Sequence, residues 1–594
     1  MKKLLTGNEA IARGAWEAGV KFATAYPGTP STEILENVAT YDGIVSEWAP
    51  NEKVAVEAAA GASIAGIRTL AAMKHVGVNV AADPIFTFAY LGVNGGSVIV
   101  TADEPGMHSS QNEQDNRNYA RHAKMPMFEP SDSQEAKDML KDAYEVSETY
   151  DCPVLYRMTT RVCHSKSIVE CEDRVEVDDK EYVKDIMKNC PLPAHARVMQ
   201  VKLAKNFEKL AEYTETSKWN YIEDNQKEIG VIASGVAFRY AKEVFGDTAS
   251  YLKLGFSYPL PKKLIAEFAG KVKKIYVLEE NDPILETEIK AMGIDVIGKD
   301  VFPTMGELTP ERIREALYGK SEVTLAPDPE KIVGRPPAFC AGCPHRGIFY
   351  EMGRRKNIMI FSDIGCYSLG LTPPYNATDA MICMGASISG GHGVAKAMDI
   401  KNNDMKVVSV IGDSTFFHSG MTSLMDVTYN KSNVLTVILD NRITGMTGHQ
   451  ENPGSGFDLK GEPAPIMDIE TIVRALGVKN VRTVDPNNLE ETDAALDWGL
   501  SNDEASVIIT RWPCALKRFS QADKEEFPEA FKRHCKVDTD LCIGCKKCLK
   551  SGCPALAFNS TVPKKSGILE ESCLGCEVCL QICPKHAIYV EEEK

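Results

Sequence analysis

Val407-Val408-Ser409-Val410-Ile411-Gly412-Asp413-Ser414 and, further on, Val434-Leu435-Thr436-Val437-Ile438-Leu439-Asp440-Asn441 decide the fold. Each is an apolar, β-branched run closed by a small or acidic group, and an amphipathic interval of helix length separates them. That is the pattern of a βαβ unit in a parallel sheet, whose ligands sit at the carboxyl ends of the strands. Asp413 ends the first strand and Asn441 the second, so neighbouring parallel strands bring both side-chain oxygens to one edge. Two oxygen ligands suit a hard cation such as Mg²⁺, which completes its octahedron with water and substrate phosphates. Gly412 lets a diphosphate come close to the backbone, and the helix start at Ser414 offers it N–H groups.

Size and composition bound what surrounds this unit. A chain of 594 residues holds several domains, and 44% hydrophobic with 25% charged residues is a globular composition. No run of about 18 apolar residues marks a membrane span. The apolar stretch within Met1–Glu9 is too short for a signal peptide, so a cytoplasmic protein is expected. A net charge of −16 disfavours nonspecific binding to nucleic acid. Eighteen cysteines in such a chain point to metal clusters rather than disulfides.

The tail carries the most specific signal. Cys542-x₂-Cys545-x₂-Cys548-x₄-Cys553-Pro554 is followed by Cys573-x₂-Cys576-x₂-Cys579-x₃-Cys583-Pro584. Two such runs spell a ferredoxin module of the bacterial two-cluster type, in which the fourth cysteine of each run crosses to the other cluster. One [4Fe–4S] cluster is thus expected on Cys542, Cys545, Cys548 and Cys583, and a second on Cys573, Cys576, Cys579 and Cys553. The extra residue before Cys553 lengthens a loop and spares the pairing. A pair of zinc ribbons would lack the third regular cysteine and the Cys-Pro ending. Cys535 stands outside the pattern as a spare.

In the first half, Gly7–Glu17 reads as a capped helix and Phe22–Tyr26 as a strand. Pro27-Gly28-Thr29-Pro30-Ser31-Thr32-Glu33 is a turn that opens another helix. Residues 51–66 form an Ala/Gly-rich helix bearing Glu52 and, on another face, Glu57. Val98–Asp103 is a buried strand that runs into a polar loop, Glu104 to Arg117. Its position after a strand end makes His108, Ser109, Gln111 and Asn112 candidates to line a site. Lys74-His75 and Arg121-His122 are able to meet a carboxylate, but each pair reads first as surface charge. Residues 191–227 are polar and irregular, a linker. Strands and helices then alternate from Ile229 to about Leu317. A proline-rich joint, Gly334-Arg335-Pro336-Pro337, precedes Phe339-Cys340-Ala341-Gly342-Cys343-Pro344-His345-Arg346-Gly347. A strand ending Asp363-Ile364-Gly365-Cys366 and a glycine-rich helix approach, Met384–Gly393, complete the lead-in to Gly412.

Several of these pieces resemble one family. Gly412-Asp413-Ser414 with Asp440-Asn441 resembles the diphosphate motif of thiamine diphosphate enzymes, with Ser for its second Gly and Asp for its first Asn. That likeness implies Mg²⁺ held by Asp413, Asn441 and the main-chain carbonyl of Ile443. Tyr26–Thr32 resembles the opening loop of 2-oxoacid:ferredoxin oxidoreductases, which implies that Thr29 faces the substrate. Glu52, Ala55, Gly61 and Ala62 match the spacing around the glutamate that contacts the thiamine aminopyrimidine, making Glu52 the catalytic candidate ahead of Glu57. The loop holding His108 to Asn112 is similar to that of the indolepyruvate branch. Gly365, Cys366, Gly385, Ala386 and Ser387 lie where the family's cofactor domain touches thiamine and its diphosphate. Related enzymes bind a proximal [4Fe–4S] cluster with the pattern that Cys340, Cys343, Cys366 and Cys514 repeat here; a Zn or redox pair at Cys340 and Cys343 is the alternative.

The resemblance, to the large subunit of the indolepyruvate branch, covers essentially the whole chain and implies its architecture. An α/β protein is expected, with a doubly wound pyrimidine-binding thiamine domain (1–190), the linker, and a transketolase C-terminal-like α/β domain (228–325). A doubly wound diphosphate- and Mg²⁺-binding thiamine domain (326–525) and the two-cluster ferredoxin domain (530–594) follow. It also implies oxidative decarboxylation of arylpyruvates with coenzyme A to aryl-acetyl-CoA and CO₂, with ferredoxin taking the electrons. A smaller β subunit carrying a γ-type domain is the expected partner, in a dimer of heterodimers. A non-oxidative thiamine decarboxylase, for which the cysteine tail has no purpose, and an electron-transfer subunit whose active site lies in another chain are the competing functions.

Overall fold

The computed structural model describes residues 1–319, 328–561 and 563–591. It divides into two compact units, Met1–Pro327 and Asp328–Lys594. The domain boundary expected between 325 and 326 lies outside the described residues, as do Val562 and residues 592–594 of the tail domain.

The first unit is built on a seven-stranded sheet. Its strands run in the order Phe256–Tyr258, Met127–Phe128, Val154–Thr159, Ser97–Asp103, Thr69–Lys74, Phe22–Ala25 and Val45–Trp48. All are parallel except Phe256–Tyr258, which is antiparallel to its neighbour. The parallel strands therefore end along one edge, where Asp103, Ala25 and Trp48 hand over to loops and Lys74 to the short helix His75–Val80. Helix Gly7–Glu17 begins at a capping box, in which the Thr6 hydroxyl accepts from the Glu9 N–H and Glu9 accepts from the Thr6 N–H. Helix Glu52–Ile64 is capped by the Asn51 side chain, which accepts from the Val54 N–H at 2.9 Å. That cap fixes Glu52 in the first turn.

A second, four-stranded sheet in this unit has the order Lys274–Leu278, Ile229–Ala233, Ala249–Leu254 and Asn220–Glu223, the last antiparallel. The structure departs here from the expected irregular linker at 191–227. Helix Pro193–Thr214 spans 22 residues of it, and strand Asn220–Glu223 a further four. The helix buries only Met199, Leu203, Leu210 and Thr214, so its apolar stripe is thin and its many charged residues hide the periodicity. Strand Phe256–Tyr258 also leaves the second sheet's neighbourhood in sequence and joins the first sheet.

Buried ion pairs tie the two sheets together. Arg157 donates to Asp103 at 2.5 Å, Glu129 at 2.6 Å and Asn281 at 3.0 Å. Arg117 pairs with Asp115 at 2.5 Å and Glu279 at 2.6 Å. Breaking one partner of such a pair costs about 3–5 kcal/mol, because the other charge stays buried.

In the second unit five parallel strands lie in the order Ile358–Phe361, Lys406–Gly412, Leu435–Asp440, Ser506–Arg511 and Asn480–Val484. Alternate side chains feed the two faces. Val408, Val410, Leu435, Val437, Leu439 and Ile508 pack with Phe339, Ile348 and Phe349 on one face. Val407, Ile411, Ile438, Val507 and Ile509 pack with Ile388, Phe416 and Leu424 on the other. A sheet covered on both faces explains why its strands read as continuous apolar runs. The tail adds two small antiparallel pairs, His534–Val537 with Ile588–Glu591 and Leu556–Phe558 with Ser566–Ile568.

Glu280, at the end of the second sheet of the first unit, generates a prediction. Burial pushes its carboxyl up to about 7, against the pull of Arg157. A carboxyl raised in the folded state binds its proton more tightly there than in the unfolded chain. Its stabilising contribution is complete below the ordinary carboxylate range and is lost as pH rises through about 7. Thermal melting of the native protein should thus fall between pH 5 and pH 7. Glu280→Gln should flatten that slope by an amount on the order of 2 kcal/mol across the window; an unchanged slope refutes the assignment.

Candidate active site

Register sets the site in the second unit. Gly412 pairs with Leu439 on the neighbouring strand, so the next residues on each strand, Asp413 and Asp440, emerge side by side with Asn441 one step beyond. Asp440 pairs in register with Arg511, and Arg511 Nε donates to its carboxylate at 2.8 Å. The acid that replaces the motif's first asparagine is therefore neutralised by a strand neighbour. Asp413 and Asn441 are left facing each other. Asp413 Oδ2 and Asn441 Oδ1 both accept from the single N–H of Ile443, each at 3.2 Å. Two hard oxygens thus converge on one point. Burial, reinforced by the Asp440 carboxylate, pushes Asp413 up to about 8. A site that strains to keep its carboxylate charged and offers a second oxygen beside it fits a divalent cation. Ile443 presents its N–H here; its carbonyl is the atom the sequence motif implies.

The backbone around this point is shaped for close approach. Gly385 has φ +82°, and a Cβ there would fall 1.9 Å from Ser419 Oγ. A Cβ on Gly412 would lie 2.7 Å from the Tyr367 ring, and one on Gly365 2.3 Å from the same ring. Helix Ala386–Ile400 starts where Asp363 accepts from the N–H groups of Gly385 and Ser387, both at 2.9 Å. Asp363 was not singled out from sequence. It is fully buried, held up to about 6 by that burial, and its place at a strand's carboxyl end was the available signal. Ser414 Oγ accepts from the Thr444 hydroxyl at 2.9 Å. After Asp413 the helix widens into a π-type turn, Phe416–Gly420, of a kind that is frequent at functional sites. His345 is buried, with Nε2 3.4 Å from Asn441 Nδ2, and burial lowers its pKa to about 4, so it is neutral.

Four thiols gather beside these residues. The Cys343 N–H donates to the Cys340 carbonyl at 3.2 Å, and the Cys514 N–H to the Asn441 carbonyl at 3.0 Å. Cys366 Sγ faces Gly445, where a Cβ would be 3.3 Å away. Burial pushes the Cys366 thiol up to about 11, and its neighbours Cys514 and Cys340 push the same way. Cys343 is raised by burial and by the nearby Cys366 and Cys514, while Arg346 opposes.

In the tail, one small cavity is walled by Cys542, Cys545, Cys548 and Cys583. Another is walled by Cys553, Cys573, Cys576 and Cys579, together with Cys535, Gly342 and Arg346. The two cysteine runs share one backbone. Gly544 and Gly575 have φ +68° and +63°, and Lys546 and Glu577 have φ +61° and +60°. Thiol sulfurs accept from main-chain N–H groups, Cys573 from Cys535 and Cys583 from Ala587, both at 3.3 Å. Among the described residues no three Cys, His, Asp or Glu side chains form a single-ion metal site. The thiols are spread over cavity walls instead.

In the first unit, the carboxyl edge of the large sheet collects a second set. Glu52 is 4% exposed, and Gly77 leaves room for it, since a Cβ there would lie 2.6 Å from Glu52 Oε1. Glu57 is half exposed and pairs with Lys53 on the surface. Thr29 is half-buried in the turn after Phe22–Ala25, where a Cβ on Gly28 would lie 3.1 Å from the Lys74 side chain. Lys74 differs from its expected surface position. It ends strand Thr69–Lys74, burial lowers its pKa, and Glu104 and Glu52 act against that. Buried Glu104 accepts from the Ser109 N–H at 2.8 Å and its hydroxyl at 2.9 Å. The Asn112 carbonyl meets His75 Nε2 at 3.1 Å. The structure thus brings Ser109 and Asn112 to Lys74 and His75, while His108 turns to Glu307 at 3.6 Å and Gln111 is exposed. Arg121 and His122 line a separate cleft with Phe207 and Tyr258, and Arg121 pairs with Glu288 at 2.7 Å.

Comparison with known proteins fits this geometry. The family described as pyruvate flavodoxin/ferredoxin oxidoreductase, thiamine diphosphate-binding, matches residues 13–223. The C-terminal thiamine pyrophosphate-binding domain of thiamine pyrophosphate enzymes matches 363–510, and a 4Fe-4S dicluster domain matches 534–584. Indolepyruvate oxidoreductase subunit IorA of Archaeoglobus fulgidus is 41% identical over 621 residues, covering 99% of this chain and 97% of its own. The chain belongs to the IorA family. The member from Methanothermobacter thermautotrophicus is also 41% identical, over 99% of this chain and 97% of its own, and that from Pyrococcus horikoshii 38%, over 98% and 96%. A solved 2-oxoglutarate:ferredoxin oxidoreductase from Magnetococcus marinus aligns with 53% of this chain and 65% of its own at 18% identity, with a TM-score of 0.45, too distant to carry argument. The matched segments make the chain a thiamine diphosphate and iron–sulfur protein of the 2-oxoacid oxidoreductase class.

The convergence of Asp413 and Asn441 predicts the effect of removing one of them. Asp413→Ala should weaken Mg²⁺-dependent thiamine diphosphate binding, followed by calorimetry, by at least the ~10–100-fold that loss of an outer-shell partner costs a metal site. Equal affinity in the variant would remove Asp413 from the site.

Proposed function

We propose that this chain is the large, catalytic subunit of an oxidoreductase that decarboxylates 2-oxoacids of the arylpyruvate type and passes the electrons to ferredoxin. One observation carries this: a single compact unit holds both the diphosphate edge at Asp413 and Asn441 and the eight tail thiols in two walled cavities. A non-oxidative decarboxylase has no use for the second feature, and a pure electron carrier none for the first.

Bound thiamine diphosphate supplies the electron sink for 2-oxoacid decarboxylation, and iron–sulfur clusters supply one-electron acceptors. Each residue has a part in this. Asp413, Asn441 and the Ile443 carbonyl would hold Mg²⁺, and Gly385, Ala386 and Ser387, with Gly365, Gly412 and Ser414, would admit the diphosphate. Neutral His345 keeps Asn441 in place without adding charge. Glu52 would hydrogen-bond the aminopyrimidine and handle its proton, in a position from which water is largely excluded. Thr29 and Ser109 would face substrate, and Lys74 is the cation beside them for a 2-oxoacid carboxylate. His108, Gln111 and Asn112 would complete that rim as the loop closes on substrate. Cys542, Cys545, Cys548 and Cys583 would bind one [4Fe–4S] cluster and Cys573, Cys576, Cys579 and Cys553 another. Cys340, Cys343, Cys366 and Cys514 would bind a third. Coenzyme A would take the acyl group. A smaller β subunit would complete a dimer of heterodimers in the cytoplasm. The aryl preference rests on the name of the relatives; those relatives are indolepyruvate oxidoreductase subunits.

Anaerobic purification with iron and thiamine counting, followed by a screen of 2-oxoacids with a dye acceptor, tests this. The expectation is about twelve iron atoms per chain for three four-iron clusters, where about eight would leave only the tail pair. Glu52→Gln should abolish decarboxylation while thiamine diphosphate still binds. Cys576→Ser should keep CO₂ exchange and slow ferredoxin reduction. Full activity in both variants would sink the proposal.

A further inference from the structure

Arg346 takes no part in the chemistry above, yet among the described residues it is the largest fully buried side chain, at 0% exposure. Nη1 donates to the Tyr375 hydroxyl at 2.9 Å and the Ser551 carbonyl at 2.7 Å. Nη2 donates to the carbonyls of Phe339 at 3.2 Å and Cys340 at 2.6 Å. All four acceptors are neutral. Nε is buried without a partner, and among the described residues no carboxylate forms an ion pair with this guanidinium. A guanidinium is always protonated, and a buried charge lacking a counter-charge bears a heavy desolvation penalty.

What surrounds Arg346 is sulfur. It walls the cavity of Cys553, Cys573, Cys576 and Cys579. Through its other nitrogen it holds the loop that carries Cys340 and Cys343. Gly342 of that loop packs on the same cavity, where a Cβ would lie 2.8 Å from Leu574. The cavity of Cys542, Cys545, Cys548 and Cys583 touches no residue of this loop. Its cation neighbours are lysines open to solvent: Lys546 and Lys585 are exposed and Lys565, which donates to the Cys542 carbonyl, is half-buried, so water and salt screen them more than they screen a fully buried guanidinium.

We propose that Arg346 is the counter-charge of the cluster held by Cys553, Cys573, Cys576 and Cys579, and that this cluster is the inner of the two in the tail, first to accept an electron from the Cys340–Cys343 side. The inference rests on the cluster assignments above, the two in the tail for the counter-charge and the one on Cys340, Cys343, Cys366 and Cys514 for the electron's source. The step is the transfer of one electron: the reduced group at the Cys340–Cys343 loop loses it, the inner cluster gains it, no bond forms or breaks, and no proton moves. Four thiolates give the cluster a net negative charge that grows on reduction. A permanent cation in a dry wall stabilises the reduced form and raises its potential. Arg346 is thus a positioning and potential-setting residue, and the outer cluster, on Cys542, Cys545, Cys548 and Cys583, faces the electron's exit.

Redox titration of the full chain, purified anaerobically with iron counted and followed by EPR, tests this. Cys545→Ser and Cys579→Ser assign the signals to the two clusters. Arg346→Gln should shift the reduction equilibrium of the inner cluster about tenfold toward the oxidised form, a drop of about 59 mV for a one-electron couple, and leave the outer cluster in place. Arg346→Lys should retain most of the native potential. Tyr375→Phe should lower the melting temperature and move neither potential, which separates a packing role from an electrostatic one. If Arg346→Gln does not accumulate as folded protein, Ser551→Asp, which sets a carboxylate beside an intact guanidinium, should produce the same selective drop. Unmoved potentials in a folded charge-altering variant, or equal shifts of both clusters, would overturn the inference while leaving the two-cluster assignment intact. A native protein without the tail's iron would overturn both.

Discussion

Two buried carboxylates, Asp413 and Asp440, are delivered side by side by the parallel register of Lys406–Gly412 with Leu435–Asp440. Neither strand can slip by a residue, because a slip would turn every side chain to the opposite face and empty both halves of the core. The repulsion is therefore built in, and the surrounding structure is arranged to answer it. Arg511, in register on the next strand, takes Asp440. Among the described residues no cation forms an ion pair with Asp413, which is steadied by neutral donors, the N–H groups of Ser414 and Ile443 with the Asn452 side chain and the Arg442 backbone. An edge with one acid neutralised and the other waiting beside an amide oxygen has the charge that a divalent cation with a diphosphate would complete.

What could be read from the sequence follows from how local each signal is. The parallel strands were legible because both faces of their sheet are covered, which writes apolar residues at every position. Helix Gly7–Glu17 was legible from its cap, and the ferredoxin tail from a spacing imposed by covalent ligation. Helix Pro193–Thr214 was not, because it buries only four side chains along 22 residues and its charged residues interrupt the apolar pattern. In the site, Asp413 and Asn441 stood at strand ends and could be named. Lys74 and Asp363 also stand at strand ends, but their significance depends on burial by loops distant in sequence, such as the one that brings Ser109 to Glu104. His108 shows the opposite: a polar residue in a promising loop that pairs with Glu307 instead of Lys74.

The tail makes the same point about symmetry. Its two cysteine runs repeat the same glycine and left-handed positions at Gly544, Lys546, Gly575 and Glu577, so the repeat itself presents two similar cavities. Equivalent sites would share one potential and give an electron no direction. The difference must come from outside the repeat, and the thiamine-type sheet that precedes it supplies one: Phe339–Arg346 lies against one cavity and not the other. A buried guanidinium with neutral acceptors is an expensive way to hold a loop, since an uncharged donor could satisfy the carbonyls of Phe339, Cys340 and Ser551 without desolvating a charge. The expense is intelligible if the charge itself is what the cavity requires, and the asymmetry it creates then points the electron path outward.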